Sequence, residues 1–142
     1  MRTAARARAW APVLIWCAVI FALSSTHGGH DPFKPYTPQY FLYVLTRKFC
    51  HVFEYFVLYG LVHSALRRER GRDDRWTTLI ALTLTVAYAA SDELHQSFVP
   101  GRSGNRVDVL IDFLGAAAAR ARLTGPGRVV AAVGAQRPAG PG

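Results

Sequence analysis

Cysteine is scarce in this sequence, which holds only Cys17 and Cys50. Cys17 falls near the middle of one apolar run and Cys50 near the start of another, so in a helical bundle their depths would differ by roughly 10 Å at about 1.5 Å of rise per residue. That offset exceeds the Cα separation that a disulfide tolerates. The sequence therefore predicts two independent thiols and excludes a disulfide-stabilised fold.

Acidic residues are also few, since nine Asp and Glu stand against seventeen Lys and Arg, for a formal net charge of +8. Such an excess would suit nucleic acid or an anionic membrane surface. The cations, however, collect in the short segments between apolar runs, which is typical of membrane topology and not of a basic patch on a soluble domain. We expect a lipid bilayer as the surroundings and no nucleic-acid partner.

Long apolar segments are what the sequence does contain. The first, Ala9–Ser25, is uncharged and about as long as a bilayer core requires. It also resembles a signal peptide, but it is longer than a usual signal core, and we expect it to be retained. The predicted spans are residues 9–25, 48–66, 77–96 and 107–123. The sequence thus predicts an all-α integral membrane bundle of about four transmembrane helices in one domain, residues 1–123, followed by a flexible tail, residues 124–142.

Two polar connections separate the first three spans. Thr26–Arg47 is expected to be a loop at the membrane interface, because Pro32, Pro35 and Pro38 interrupt helices. The second connection, Arg67–Arg75, is expected to be a polar hairpin.

The distribution of basic residues predicts the orientation. Twelve of the seventeen Lys and Arg side chains lie in the N-terminal segment, the Arg67–Arg75 hairpin and the C-terminal segment, which share one side. Because such an excess marks the cytoplasmic side, both termini are expected in the cytoplasm of a multi-pass protein in the bacterial cell membrane.

The unusual polar residues of the spans then fall at one level, on the outer side. They are Lys48, His51, Asp92, Glu93, His95, Gln96, Arg102, Asp108 and Asp112. Ionisable groups at the ends of membrane-length apolar runs are costly unless they face a protein interior or water, so they indicate a functional site. Tyr55 and Tyr88 are expected to line the floor of this polar pocket.

Several of these residues belong to four short motifs. They are Lys48-x-x-His51, Ser91-Asp92-Glu93-x-His95-Gln96, Phe98-Val99-Pro100-Gly101-Arg102 and Asp108-x-x-x-Asp112-x-x-Gly115. With these motifs the chain resembles the VanZ-like family, named for an accessory protein of bacterial glycopeptide resistance that raises tolerance to teicoplanin. Many relatives are expected to have a neutral Asn where this chain has Asp112. The resemblance implies a multi-span bundle of the cell envelope, but it implies no settled molecular activity.

Two functional hypotheses fit the polar residues. In the first, Lys48, Arg102 and Arg106 bind the phosphate of an anionic, lipid-linked envelope intermediate such as a polyprenyl phosphate. In the second, the protein is an enzyme that acts on a lipid-linked substrate, with His51 or His95 as general base. Asp92 or Glu93 would orient the base and Lys48 or Arg102 would stabilise negative charge. No serine or cysteine lies in a recognisable nucleophile motif.

Two further interpretations stay open. His51-x-x-Glu54 and Asp92-x-x-His95 have the spacing of metal ligands on one helix face, although Lys48 and Arg102 would repel a cation. Alternatively the charges only pair and lock the helices of an accessory protein, with Asp92–Arg102 and Lys48–Asp108 as candidate pairs. We expect no metal and no cofactor.

Overall fold

The computed structural model of this chain describes residues 2–26, 35–99 and 106–124, with only the backbone at 2, 3, 106–108 and 124. The regular elements within these ranges are all helices: α1 (Arg2–Ser24), α2 (Pro38–Arg70), α3 (Arg75–Gln96) and α4 (Arg106–Thr124). The prediction of an all-α protein with four helices is confirmed. Arg102 and, apart from Thr124, the predicted tail lie outside the described residues.

Helix α2 begins at Pro38, inside the segment that was expected to be a loop. The backbone N–H of Tyr40 donates to the Thr37 side chain at 3.2 Å, so Thr37 caps the helix. Proline is well suited to the first helical position, because its fixed φ is helical and the missing N–H would have no partner there. The sequence also allowed a helical approach to begin within Phe41–Leu45, and the helix in fact begins three residues earlier, so the loop prediction for Thr26–Arg47 is wrong from Pro38 onward.

The connection between α2 and α3 is shorter than the predicted hairpin, because α2 continues to Arg70. Gly71 ends α2 with φ of +67°, a left-handed conformation that glycine adopts without strain. Helix α3 starts after Asp74, whose carboxylate accepts hydrogen bonds from the Thr77 N–H at 2.8 Å and from the Thr77 hydroxyl at 2.9 Å. Both helix ends are therefore capped within four residues of chain.

The Asp74 cap predicts a pH-dependent stability. The two hydrogen bonds from Thr77 hold the pKa of Asp74 below its ordinary value of 3.8. Because its pKa is lower in the folded state, the ionised Asp74 side chain stabilises the fold at pH values above its ordinary pKa. This contribution disappears as the pH falls through the lowered pKa. We expect Asp74→Ala to lower the melting temperature at neutral pH. Asp74→Asn keeps the cap and should lower the melting temperature much less. Thermal unfolding followed by circular dichroism checks this; equal acid sensitivity of Asp74→Asn and the unmodified chain would contradict it.

The helices alternate in direction. Near the start of α1, Trp10 donates to Glu69 close to the end of α2, with 3.0 Å between Nε1 and Oε2. At the other end of α1, Ser24 donates to Asp92 close to the end of α3. Helices α1 and α3 therefore run in one direction and α2 in the other. Along α4, Asp112 lies beside His51 and Gly115 lies beside Val52 and Phe56, so α4 runs parallel to α2. The start of α1 and the end of α4 are therefore at the same end of the bundle.

The core lies mainly between α2, α3 and α4. Large side chains of α2, among them Tyr55, Leu58 and Tyr59, are almost completely buried. The facing surfaces of α3 and α4 contribute small residues, including Ala89 and Ala116, which allow close approach of the helices. Bulky residues on one helix therefore fill the space that alanines leave on two others.

By length and composition, two of the helices could cross a membrane: the Ala4–Ser24 part of α1 and Pro38–Arg70. Helix α1 exposes Leu14 and Ile15, at 67% and 64% of their surface, as a lipid-facing helix would. The polar and acidic residues of its last two turns lower the mean hydropathy of α3, and Arg and Asp side chains interrupt the apolar sequence of α4. The four-span arrangement with cytoplasmic termini stays a prediction.

Candidate functional site

Asp92 is the meeting point of three helices. Its Oδ2 accepts hydrogen bonds from Ser24 Oγ of α1 at 2.8 Å, from Tyr55 OH of α2 at 3.4 Å and from Gln96 Nε2 of α3 at 2.8 Å. The side chain is buried, with 4% of its surface exposed. A buried carboxylate is tolerated when donors surround it, and these three donors supply that environment.

The second oxygen of Asp92 is different. Oδ1 is buried and accepts no hydrogen bond from any residue that the structure describes. Because a carboxylate oxygen has two acceptor positions, Asp92 retains the capacity to bind a further donor. Asp92 thus joins three helices through Oδ2, whereas its Oδ1 is buried without a donor among the described residues.

His95 lies one helical turn from Asp92 and contacts α1. Its Nε2 is 3.0 Å from Ser25 Oγ, and its ring centroid is 4.4 Å from that of Phe21. The Ser25 hydroxyl already donates to the Phe21 carbonyl oxygen at 2.7 Å. Nε2 of His95 must therefore be the donor to Ser25 in this arrangement, a tautomer assigned from the hydrogen bonds. His95 and Ser25 hold the end of α1 against α3.

His51 links α2 to α4. Its Nδ1 lies 3.6 Å from Asp112 Oδ1 and 3.7 Å from Glu54 Oε2, and Asp112 is 1% exposed. Both contacts attract when the imidazole is protonated. Tyr55 follows His51 by one turn on the same face of α2, so this group adjoins Asp92. We name the joined set the polar cluster: Ser24, Ser25, His51, Glu54, Tyr55, Asp92, His95, Gln96 and Asp112.

A cavity of about 310 Å³ opens beside the polar cluster, between the end of α1 and the first half of α2. Its polar lining includes Ser24, His51 and Glu54 of the cluster. Arg47 adds a cation, and its guanidinium carbon lies 5.7 Å above the ring of Tyr43. The cavity therefore combines a positioned guanidinium with carboxylate, imidazole and hydroxyl groups.

The structure brings five of the nine predicted site residues into the polar cluster: His51, Asp92, His95, Gln96 and Asp112. Lys48 is half-buried one turn before His51, on the same face of α2. Glu93 is buried on a neighbouring face of α3, because adjacent helical residues point about 100° apart. Arg102 and the side chains of Asp108 and Arg106 lie outside the described residues, and so do both predicted charge pairs that involve them.

Tyr88, the second residue predicted for the floor, lies one helical turn before Asp92 on α3. Tyr88 donates from its hydroxyl to the Cys17 carbonyl oxygen at 2.6 Å and so ties α3 to α1. Conversely, Ser24, Ser25 and Arg47 were not predicted. The two serines end an apolar run at the level of the other polar groups, so the sequence could have indicated them as members of the site. Arg47 was missed because its segment was expected to be a loop.

A metal site finds no support among the described residues, which contain no group of three or more His, Cys, Asp and Glu placed to hold a metal ion. The two pairs of residues with ligand-like spacing contact different parts of the bundle. His51 and Glu54 face Asp112, whereas Asp92 and His95 contact Ser24 and Ser25 of α1. The described geometry therefore does not unite the two pairs around one ion.

Comparison with known proteins gives one finding. A family model described as VanZ/LLP1 matches residues 9–121, which include every member of the polar cluster. No curated protein and no solved structure gives a significant match. The matched segment covers most of the chain and reaches into all four helices.

Proposed function

This chain belongs to the VanZ/LLP1 family, and from that membership and the polar cluster we propose that it binds an anionic, lipid-linked component of the bacterial cell envelope. The protein would cross the cytoplasmic membrane several times, with both termini inside and the polar cluster near the outer leaflet. By binding such a component, the protein would lower the susceptibility of the cell to a glycopeptide or another agent that acts at the cell surface.

The depth of the polar cluster favours a lipid-linked ligand. Sixteen residues of α2 separate His51 from Arg67, a distance of about 24 Å at 1.5 Å per residue. The hydrocarbon core is about 30 Å thick, so with Arg67 at the inner surface the cluster would lie a few ångströms beneath the outer one. A headgroup that enters this level would leave its chain among the bilayer lipids.

The cavity beside the polar cluster carries the proposal. Its volume of about 310 Å³ is at the lower end of the usual range for small-ligand pockets. Arg47 provides the planar, two-pronged donor that suits phosphate, and Tyr43 steadies it. Glu54 and Ser24 offer acceptors and a hydroxyl for sugar or amine groups. Leu23, which is half exposed, gives one wall an apolar surface for the first part of a lipid chain.

The contact between Ser25 and His95 favours a second candidate function, that of an enzyme acting on a lipid-linked substrate. A hydroxyl 3.0 Å from an imidazole nitrogen is within reach for general-base activation. The Ser25 proton, however, points to the Phe21 carbonyl oxygen, and Nε2 of His95 carries the proton of their contact. Both a rotation of the hydroxyl and a change of the imidazole tautomer would therefore have to precede any attack. Binding without chemistry requires no such rearrangement. If neither function holds, the polar cluster serves only to join the helices of an accessory protein.

Replacing Arg47 tests the binding function. We expect Arg47→Gln to weaken retention of a polyprenyl phosphate by about ten- to a hundredfold, the loss of one or two charge-assisted hydrogen bonds. The full chain would be extracted in native membrane discs, and the bound lipid quantified by mass spectrometry. In a glycopeptide-susceptible bacterial host, the same variant should lose most of the protection against teicoplanin at unchanged membrane abundance. Arg122→Gln, which removes an exposed charge at the opposite end, is the matched control.

The alternatives give different outcomes in the same assay. Ser25→Ala should keep both lipid retention and protection if the protein only binds, and should abolish protection with the lipid still bound if Ser25 is a nucleophile. A uniform loss of membrane abundance in Arg47→Gln and Ser25→Ala would indicate a purely structural cluster. Equal lipid retention by Arg47→Gln and Arg122→Gln would refute the proposed binding site.

A further inference from the structure

A second cavity lies at the opposite end of the bundle from the polar cluster. It has a volume of about 580 Å³ and is lined by Ala5, Arg6, Arg8 and Ala9 of α1 and by Arg68 and Glu69 of α2. We name it the basic cleft. Fifteen residues of α2, or about 22 Å, separate Glu69 from Glu54 of the polar cluster. The two cavities therefore do not share a ligand headgroup.

The single carboxylate in the lining of the basic cleft is fully engaged. Oε1 of Glu69 lies 3.1 Å from Arg6 Nε, and Oε2 accepts a hydrogen bond from the Trp10 indole at 3.0 Å. Glu69 thus joins α1 to α2 and balances the charge of Arg6. Neither Arg8 nor Arg68 forms an ion pair with a residue that the structure describes. The cleft is left with two guanidinium groups, one from each helix.

This arrangement suits the headgroup of an anionic phospholipid. Two guanidiniums from neighbouring helices can each offer paired N–H donors to the oxygens of a phosphodiester. Trp10 follows the cleft along α1, and the exposed Leu14 continues the same helix into its apolar part. In membrane proteins, Arg and Trp lie at headgroup level, and basic pockets between helices on the cytoplasmic side bind anionic headgroups.

We propose that the basic cleft is a binding site for an anionic phospholipid of the leaflet in which the protein's termini lie. Arg8 and Arg68 hold the phosphodiester, the salt bridge between Arg6 and Glu69 sets the spacing of the two helices, and the acyl chains run along the apolar surface of α1. The site requires that the bundle lies in a bilayer, but it does not depend on the ligand of the polar cluster.

Lipid selectivity in the purified full chain tests this site. The protein, in detergent micelles with equal amounts of phosphatidylglycerol and phosphatidylcholine, would be analysed by native mass spectrometry. We expect phosphatidylglycerol to be retained preferentially, and Arg8→Gln/Arg68→Gln to reduce that preference about tenfold or more, since each cation near a headgroup contributes a factor of about five. The control, Arg75→Gln/Arg122→Gln, removes two charges at the same end outside the cleft and should keep the preference.

Three results would overturn the proposal. The first is an equal loss of preference in both double variants, which would show general attraction and no site. The second is displacement of phosphatidylglycerol by millimolar inorganic phosphate, which would identify a free-phosphate site. The third is a preference in the unmodified chain that does not weaken as salt is raised, because screened cations must bind phosphate less well. The salt series needs no variant, so it can refute the proposal even if the double variant fails to fold.

Discussion

Gly115→Ala is expected to push α4 away from α2 and to lower the stability of the fold strongly. A Cβ atom at Gly115 would overlap the carbonyl oxygen of Val52 and lie 3.1 Å from its carbonyl carbon and 3.2 Å from the backbone nitrogen of Phe56. These atoms belong to the backbone of α2 and cannot rotate aside as a side chain would. Overpacking in a close-packed core costs about 1–3 kcal/mol, and rigid backbone neighbours place this site at or above that upper value.

Gly60 provides the matched control for Gly115. It also lies inside a helix, but a Cβ atom there would meet nothing within 4 Å. Gly60→Ala is therefore expected to be neutral or to stabilise by about 0.5–1 kcal/mol, because alanine loses less backbone entropy than glycine. Thermal unfolding in detergent and the membrane abundance of both variants compare them directly. Equal stability of the two alanine variants would mean that α2 and α4 are not in backbone contact at Gly115.

Asp92→Ala is expected to have the second-largest effect. The substitution leaves the hydroxyls of Ser24 and Tyr55 and the amide of Gln96 without their acceptor in a buried site. Hydrogen bonds between membrane helices are individually modest, yet three stranded donors together cost about 2–4 kcal/mol. Because these donors come from three helices, we expect lower thermal stability and detachment of α1 from the bundle, measured by limited proteolysis of the purified protein.

Two further substitutions separate the roles of Asp92. Ser24→Ala removes one donor and should cost only about 0.5–1.5 kcal/mol. Asp92→Asn keeps an acceptor oxygen for the three donors but removes the charge and replaces the unpartnered oxygen by an amide. It is expected to retain the fold. If Ser24→Ala proves as damaging as Asp92→Ala, the carboxylate is not the junction of the three helices.

The helical architecture was predictable because apolar runs of membrane length have few alternatives, but the start of α2 was not. Pro38 interrupts a helix in its interior and initiates one at its first turn, and the choice depends on whether the preceding residue caps. Thr37 caps α2, because its side chain accepts a hydrogen bond from the backbone N–H of Tyr40. The same error hid Arg47, which became a cavity residue only once its segment was helical.

The level of the polar groups along the helices could be read from the sequence, whereas their partners could not. Periodicity placed His51 and Tyr55 on one face, and the structure joins that face to Asp92 and Asp112. The rotation of each helix about its axis is decided by packing, which the sequence pattern does not contain. Tyr88, for example, lies one turn before Asp92, but the partner of its hydroxyl, the Cys17 carbonyl oxygen of α1, could not be read from the sequence.

Few apolar side chains of α1 are buried, and polar bonds hold the helix along its whole length. Its partners on α2 include Glu69 and a backbone oxygen at Glu54; on α3 they include Tyr88, Asp92 and His95. The bonds to α3 join residues about seventy positions apart. During synthesis the earliest helix must therefore wait, with Ser24 lacking its acceptor Asp92, until the ribosome has delivered the third. Assembly of the bundle is therefore completed only late in translation.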